Sequence, residues 1–175
     1  DPQLRSLHLL RHPLPQAAGP AVSRPAPVRI VGIGSAHGAD RVGWQAIDEI
    51  GRRGLVQRLP PGVVSLHRCA VPAQLVNLLE GCRLALLLDA VAAEPGALLR
   101  LRPGELEAGG TTLSAHGLGV RESLQLLSAL AAEPPQVRII GIGIGDPPGE
   151  LPPGFDYEAL ERLVETELAS FHQLA

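Results

Sequence analysis

Asp40, Asp89 and His116 are the side chains whose types and places could act on one reaction centre. Two carboxylates and an imidazole form a hard-to-borderline donor set. It suits a divalent first-row metal, with open positions left for ligands from a partner. Asp40 lies in the loop after a β-branched run, VRIVGIG. Asp89 closes the most apolar run of the chain, in LLLDAV. His116 sits in SAHGLG, between a strand candidate and an amphipathic helix. In parallel α/β sheets, ligands bind beyond the carboxyl ends of the strands, so polar residues that follow strand runs are the ones to weigh. Each also has an ordinary structural reading. An aspartate ending a strand caps the next turn, and a histidine beside glycines is commonly a loop residue. Their shared placement favours the joint reading, although the spacing is not itself a motif.

The elements that must position these residues follow from periodicity. Residues 28–34 read as a buried strand. Residues 42–53 place Val42, Ala46, Ile47 and Ile50 on one helical face, and Gly54 can end that helix. Residues 63–69 read as a second strand, and Pro72 opens a helix carrying Leu75, Val76, Leu78 and Leu79. Residues 83–89 suit a central parallel strand, and 97–101 a fourth. Residues 120–132 form an amphipathic helix with Leu124, Leu127 and Leu130 on its apolar side. Residues 137–142 are the last strand, and 156–168 a final helix facing inward through Leu160, Leu163, Val164 and Leu168. Strands alternating with helices predict an α/β fold, a three-layer α/β/α domain with a mostly parallel twisted sheet. It is expected to cover residues 28–175. Residues 1–27, rich in proline, are expected to be a loosely ordered arm.

Composition removes several functions. The 175 residues carry a net charge of −3, and all 15 cations are arginine. Without lysine there is no Schiff base, P-loop lysine or ammonium base. Four aromatic residues and no dominant basic patch argue against nucleic-acid partners. No apolar run reaches the roughly 18–20 residues that span a bilayer, and the N-terminus lacks the pattern of a signal peptide. The expectation is a soluble cytoplasmic protein with no membrane partner, acting as a monomer.

Cys69 and Cys82 are too few for a disulfide framework or a cysteine-rich zinc site. Cys69 follows His67 by two residues on a strand, so the two share a face; a buried structural thiol is the favoured reading over a Cys–His pair. The glycines near 32–38 miss the G-x-G-x-x-G spacing. The acids Asp48 and Glu49 fall inside the following helix, and the cluster GIGIG at 141–145 leads into Asp-Pro-Pro rather than a helix. Dinucleotide binding is therefore disfavoured, so no bound cofactor of that class is expected. No G-x-S-x-G or H-E-x-x-H occurs.

Three blocks then carry a family resemblance. GIGSAHGADRVGW combines a strand, a glycine-bearing loop, an acid and a V-G step. LLLDAVAAEPGALLRLRPGEL combines D-A-V, a P-G turn and a strand. SAHGLGVRESLQLLSAL runs from S-x-H-G-L into a helix. In this order they resemble the hydrogenase maturation proteases, endopeptidases that finish the large subunit of [NiFe] hydrogenases. The likeness spans about residues 28–171 and implies a phosphorylase/hydrolase-like α/β/α fold. It also implies that Asp40, Asp89 and His116 are both the catalytic residues and the contacts to nickel. The nickel is supplied by the substrate and is not permanently bound. The partner would be the large-subunit precursor, already loaded with iron and nickel and still carrying a C-terminal extension.

Two departures matter. Where the family tends to have two adjacent acids, this chain has Ala39 followed by Asp40, and GIGIGD lacks a glutamate found in many members. The alternative is thus a non-catalytic relative that binds or chaperones the precursor.

Overall fold

The computed structural model describes residues 26–106 and 117–172. Among these residues lie five strands: β1 (Val28–Ile33), β2 (Val64–Cys69), β3 (Leu84–Val91), β4 (Leu98–Leu101) and β5 (Gln136–Gly143). The α-helices described with them are α1 (Val42–Arg52), α2 (Gln74–Leu79), α3 (Gly117–Leu130) and α4 (Tyr157–His172). The sheet order is β2-β1-β3-β5-β4. β2, β1, β3 and β5 are mutually parallel, and β4 runs antiparallel to β5. The expected α/β architecture with a mostly parallel sheet is therefore present. The proline-rich segment 1–25 lies outside the described residues.

Alternation along β3 builds the three layers. Leu84, Leu86, Leu88 and Ala90 join a core with Val42, Ala46, Ile47 and Ile50 of α1 and with Leu160, Val164 and Leu168 of α4. Ala85, Leu87 and Val91 join a second core with Leu75 and Leu79 of α2 and with Val120, Leu124 and Leu127 of α3. Helices on both faces explain why all eight residues of β3 are buried and why its sequence is a continuous apolar run rather than an alternating one.

Two details differ from the sequence expectation. β3 continues two residues past Asp89, so the aspartate lies inside the strand rather than closing it. Leu130 is 68% exposed rather than packed. With about 100° per residue, steps of three drift by about 60° each. The face that stays inward is Val120, Leu124 and Leu127, and Leu130 has rotated out of it.

Polar ties hold the layers in register. Buried Arg29 of β1 donates to the Leu78 carbonyl at the end of α2. Glu161 of α4, only 7% exposed, accepts from both Arg53 and Arg58, which follow α1. Asp156 caps α4, its Oδ1 accepting from the Ala159 N–H at 2.8 Å. Gly54 ends α1 at φ +78°, as anticipated. Among the described residues no helix is long and apolar enough to cross a membrane.

Candidate active site

Asp40 lies in a 3-10 turn, Gly38–Arg41, between β1 and α1. The turn is clamped to the strand that feeds it. The Ser35 N–H donates to the Asp40 carbonyl at 3.0 Å, and the Gly34 N–H donates to the Cys69 carbonyl at 3.0 Å. Gly34 is required here, because a Cβ on it would lie 1.9 Å from the Asp40 carbonyl oxygen. Three residues on, Gly43 lays the first turn of α1 directly on the sheet. A Cβ there would be 2.0 Å from the Ile33 carbonyl oxygen and 2.8 Å from that of Leu88. Leu88 immediately precedes Asp89. Backbone contacts thus seat the Asp40 turn at the carboxyl end of β1 and the first turn of α1 over Leu88 of β3.

Asp89 is 1% exposed. Its Oδ1 accepts from the Ala90 N–H at 2.8 Å. In the β3–β5 ladder it stands opposite Gly141. By alternation its side chain belongs to the face of Leu87 and Val91, the face covered by α2 and α3. The Asp89 charge is felt as far as the thiol of Cys69, two strands away at the same end of the sheet.

His116 lies outside the described residues; the helix it leads into, α3, begins with Gly117 on that same face. Among the described residues no three His, Cys, Asp or Glu side chains gather into a metal-binding group. Asp40 and Asp89 are thus brought to one end of the sheet, and the third expected member is not described.

The alternative chemistry weighed from the sequence finds no support. His67 and Cys69 share a face of β2, yet His67 Nε2 is 2.8 Å from Ser65 Oγ, and Cys69 Sγ donates to the Val71 carbonyl at 3.2 Å. Burial pushes the thiols of Cys69 and Cys82 up, which keeps them protonated and poorly nucleophilic. Burial, helped by the Arg29 charge, pushes His67 down, so its ring is neutral near pH 7. Asp48 and Glu49 are spent on Arg68 and on Arg52 and Arg53, not held for a ribose.

Sequence reasoning missed two features of the rim. Trp44 donates its indole N–H to the Cys69 carbonyl at 3.4 Å, while the Arg68 guanidinium stacks 5.1 Å from its ring centre. This ties the end of β2 to α1 and was signalled only by Trp44 being the sole tryptophan. The second is an open groove beside the turn that carries Asp40, lined from one side by Gly38, Arg41 and Gln45 and from the other by residues between Glu150 and Tyr157, with a volume of about 460 Å³. Its two walls are about a hundred residues apart in the chain, so no local pattern foretells it.

The chain matches the hydrogenase maturation protease family model HycI over residues 66–166, more than half its length. That span contains Asp89 and His116 and excludes Asp40. No curated protein sequence matches the chain. Its fold is similar to that of the hydrogenase maturating endopeptidase HybD from E. coli, with a TM-score of 0.58 at 18% identity over 85% of this chain and 93% of that one. It is also similar to the [NiFe] hydrogenase maturation protease HycI from Thermococcus kodakarensis KOD1, with a TM-score of 0.57 at 23% identity over 81% and 89%. The [NiFe] hydrogenase maturation protease HybD from Thermococcus kodakarensis gives 0.55 at 20% over 82% and 96%. At these identities the structural likeness is one of fold, and the family-model match carries the assignment: the chain belongs to the hydrogenase maturation proteases and is a peptide hydrolase.

Proposed function

We propose that this protein removes the C-terminal extension of a nickel-loaded [NiFe] hydrogenase large-subunit precursor. Asp40, Asp89 and His116 contact the nickel that the substrate carries. The metal belongs to the substrate, so the enzyme handles it only while the precursor is docked. Two carboxylate donors and one imidazole leave coordination positions for the substrate's own ligands. In this reading nickel reports that the precursor is complete and holds its tail at the cleavage site, converting encounter into a positioned reaction. The client is a cytoplasmic precursor, and the enzyme acts on it as a monomer.

The observation that supports this reading is that the Asp40 turn and Asp89 lie toward the same, carboxyl, end of the adjacent parallel strands β1 and β3. Gly43 lies on the carbonyl that precedes Asp89. Energetics point the same way. A leucine between Leu88 and Ala90 would contribute about 1.5–3 kcal/mol by burial. A buried carboxylate instead costs several kcal/mol before its partners offset it. Packing alone does not call for an acid at position 89.

The test is to incubate purified nickel-loaded precursor with the wild-type protein and with Asp40→Asn, and to read the precursor's mass. Wild type is expected to remove a C-terminal fragment. Asp40→Asn is expected to slow that loss by about 100-fold or more, since a misplaced positioning group costs that much. A wild-type protein that binds the precursor without changing its mass would mark a non-catalytic relative instead. Normal cleavage by Asp40→Asn would remove that residue from the site.

A further inference from the structure

Asp40 is followed by Arg41, and the two side chains meet different fates. Asp40 belongs to the site above. Arg41 lines the 460 Å³ groove together with Gln45 of α1 on one wall and Glu150, Leu151, Phe155 and Tyr157 on the other. Arg52, Arg53, Arg58 and Arg68, on and around the same helix, are all ion-paired. Arg41 is exposed and has no ion-pair partner among the described residues. It also stands at the N-terminal boundary of α1, where a cation opposes the helix dipole. Helix stability does not account for an arginine there.

The groove is built for a chain rather than for a greasy ligand. Phe155 and Tyr157 form an edge-to-face pair, 4.8 Å between centres, that gives its second wall a fixed aromatic surface. Burial and the Glu49 charge push the Tyr157 phenol up, so it stays a protonated donor at neutral pH. Gln45 and Glu150 add an amide and a carboxylate to the lining. A volume of this size falls within the roughly 300–1,000 Å³ of ordinary ligand sites.

We infer that this groove takes the stretch of precursor chain next to the cleaved bond, and that Arg41 pairs with a carboxylate on that stretch. The inference rests on the proposed function and extends it from the reacting centre to substrate choice. Arg41 is the anchor because a guanidinium grips a carboxylate through two parallel N–H bonds. The carboxylate comes either from an acidic side chain of the tail or from the terminal carboxyl group, and these share one chemistry.

The test measures binding rather than cleavage, so that its outcome stands apart from that of the Asp40→Asn experiment. Labelled synthetic peptides covering the precursor's extension and the residues before it are titrated in metal-free buffer against the full-length protein and against Arg41→Glu. Fluorescence anisotropy reports affinity. The peptides come in a natural form, a form with acidic side chains replaced by amides, and a form with an amidated C-terminus. Arg41→Glu is expected to weaken the natural peptide by about tenfold or more, the usual scale of a charge-assisted pair. The peptide form that already binds wild type that weakly identifies which carboxylate Arg41 holds. A peptide with lysine at that place should bind Arg41→Glu better than wild type, which no misfolding would produce. Arg41→Glu should also melt no lower than wild type, because an anion suits the start of α1. Equal affinities of wild type and Arg41→Glu for every peptide, or no binding of any peptide to wild type, would overturn the inference. Either result would leave the cleavage test to judge the protease reading by itself.

Discussion

At the residue scale, Asp89 carries the sharpest prediction. It is a carboxylate inside a strand whose every other side chain is apolar. Asn preserves its shape and removes its charge. Asp89→Asn is therefore expected to keep the fold and melt within a few degrees of wild type, while precursor processing falls by about 100-fold or more. Calorimetry and precursor mass read the two halves. A variant that unfolds would make Asp89 a structural residue, and one that cleaves normally would take it out of the site. The cysteines and His67 show how environment removes candidates. Each is a plausible nucleophile, base or ligand by type, yet burial holds the thiols protonated and leaves the imidazole neutral, its ring nitrogen against a serine.

At the scale of elements, glycine placement decides where the Asp40 turn and α1 lie on the sheet. Gly34 and Gly43 let backbone lie on backbone, so that the Asp40 turn and α1 rest on β1 and β3. Gly43→Ala must push a helix off two carbonyl groups. The expected cost is about 1–3 kcal/mol of stability, typical of overpacking, together with slower processing as Asp40 shifts. Denaturant melts and precursor cleavage would show both; unchanged values would mean that α1 does not position the turn. The V-G step was visible in the sequence, but its steric role needs the strand lying beneath it. The same holds for β4. Its residues read as a strand, yet a local pattern carries no direction. Only residues 92–97 separate it from β3. That is too short for a parallel crossover, which needs about a dozen residues or more, so β4 starts at the carboxyl end and runs back beside β5.

At the scale of the whole molecule, the strand–helix alternation made the layered sheet legible. The apolar run of β3 marked the strand that lies deepest, because both of its faces are covered. The rule that ligands sit beyond strand ends selected Asp40, Asp89 and His116; Asp40 follows β1, Asp89 lies inside β3 near its carboxyl end, and His116 lies outside the described residues. The groove beside the Asp40 turn joins segments distant in sequence and was not legible. The same is true of Glu161, which looked like any polar residue of an amphipathic helix but is buried between Arg53 and Arg58. Hydrogen bonds from Arg53 and then Arg58 hold its carboxyl below the usual glutamate range. A depressed native value means that its contribution is complete above the ordinary unfolded value of about 4.3, and is lost as pH falls through the native one. Glu161→Gln is expected to be less stable than wild type at pH 7, with the difference shrinking as pH falls below the ordinary glutamate value. Denaturation series across that range would show it, and a pH-independent difference would contradict it.

In the proposed reaction the substrate's metal is read by this protein's carboxylates and imidazole. Comparing precursor that holds both iron and nickel with precursor that holds iron alone tests this most directly, with mass spectrometry following the extension under identical conditions. Processing is expected only of the nickel-containing form. Equal cleavage of the two would contradict the account, because Asp40, Asp89 and His116 would then be working without the ion they are proposed to meet.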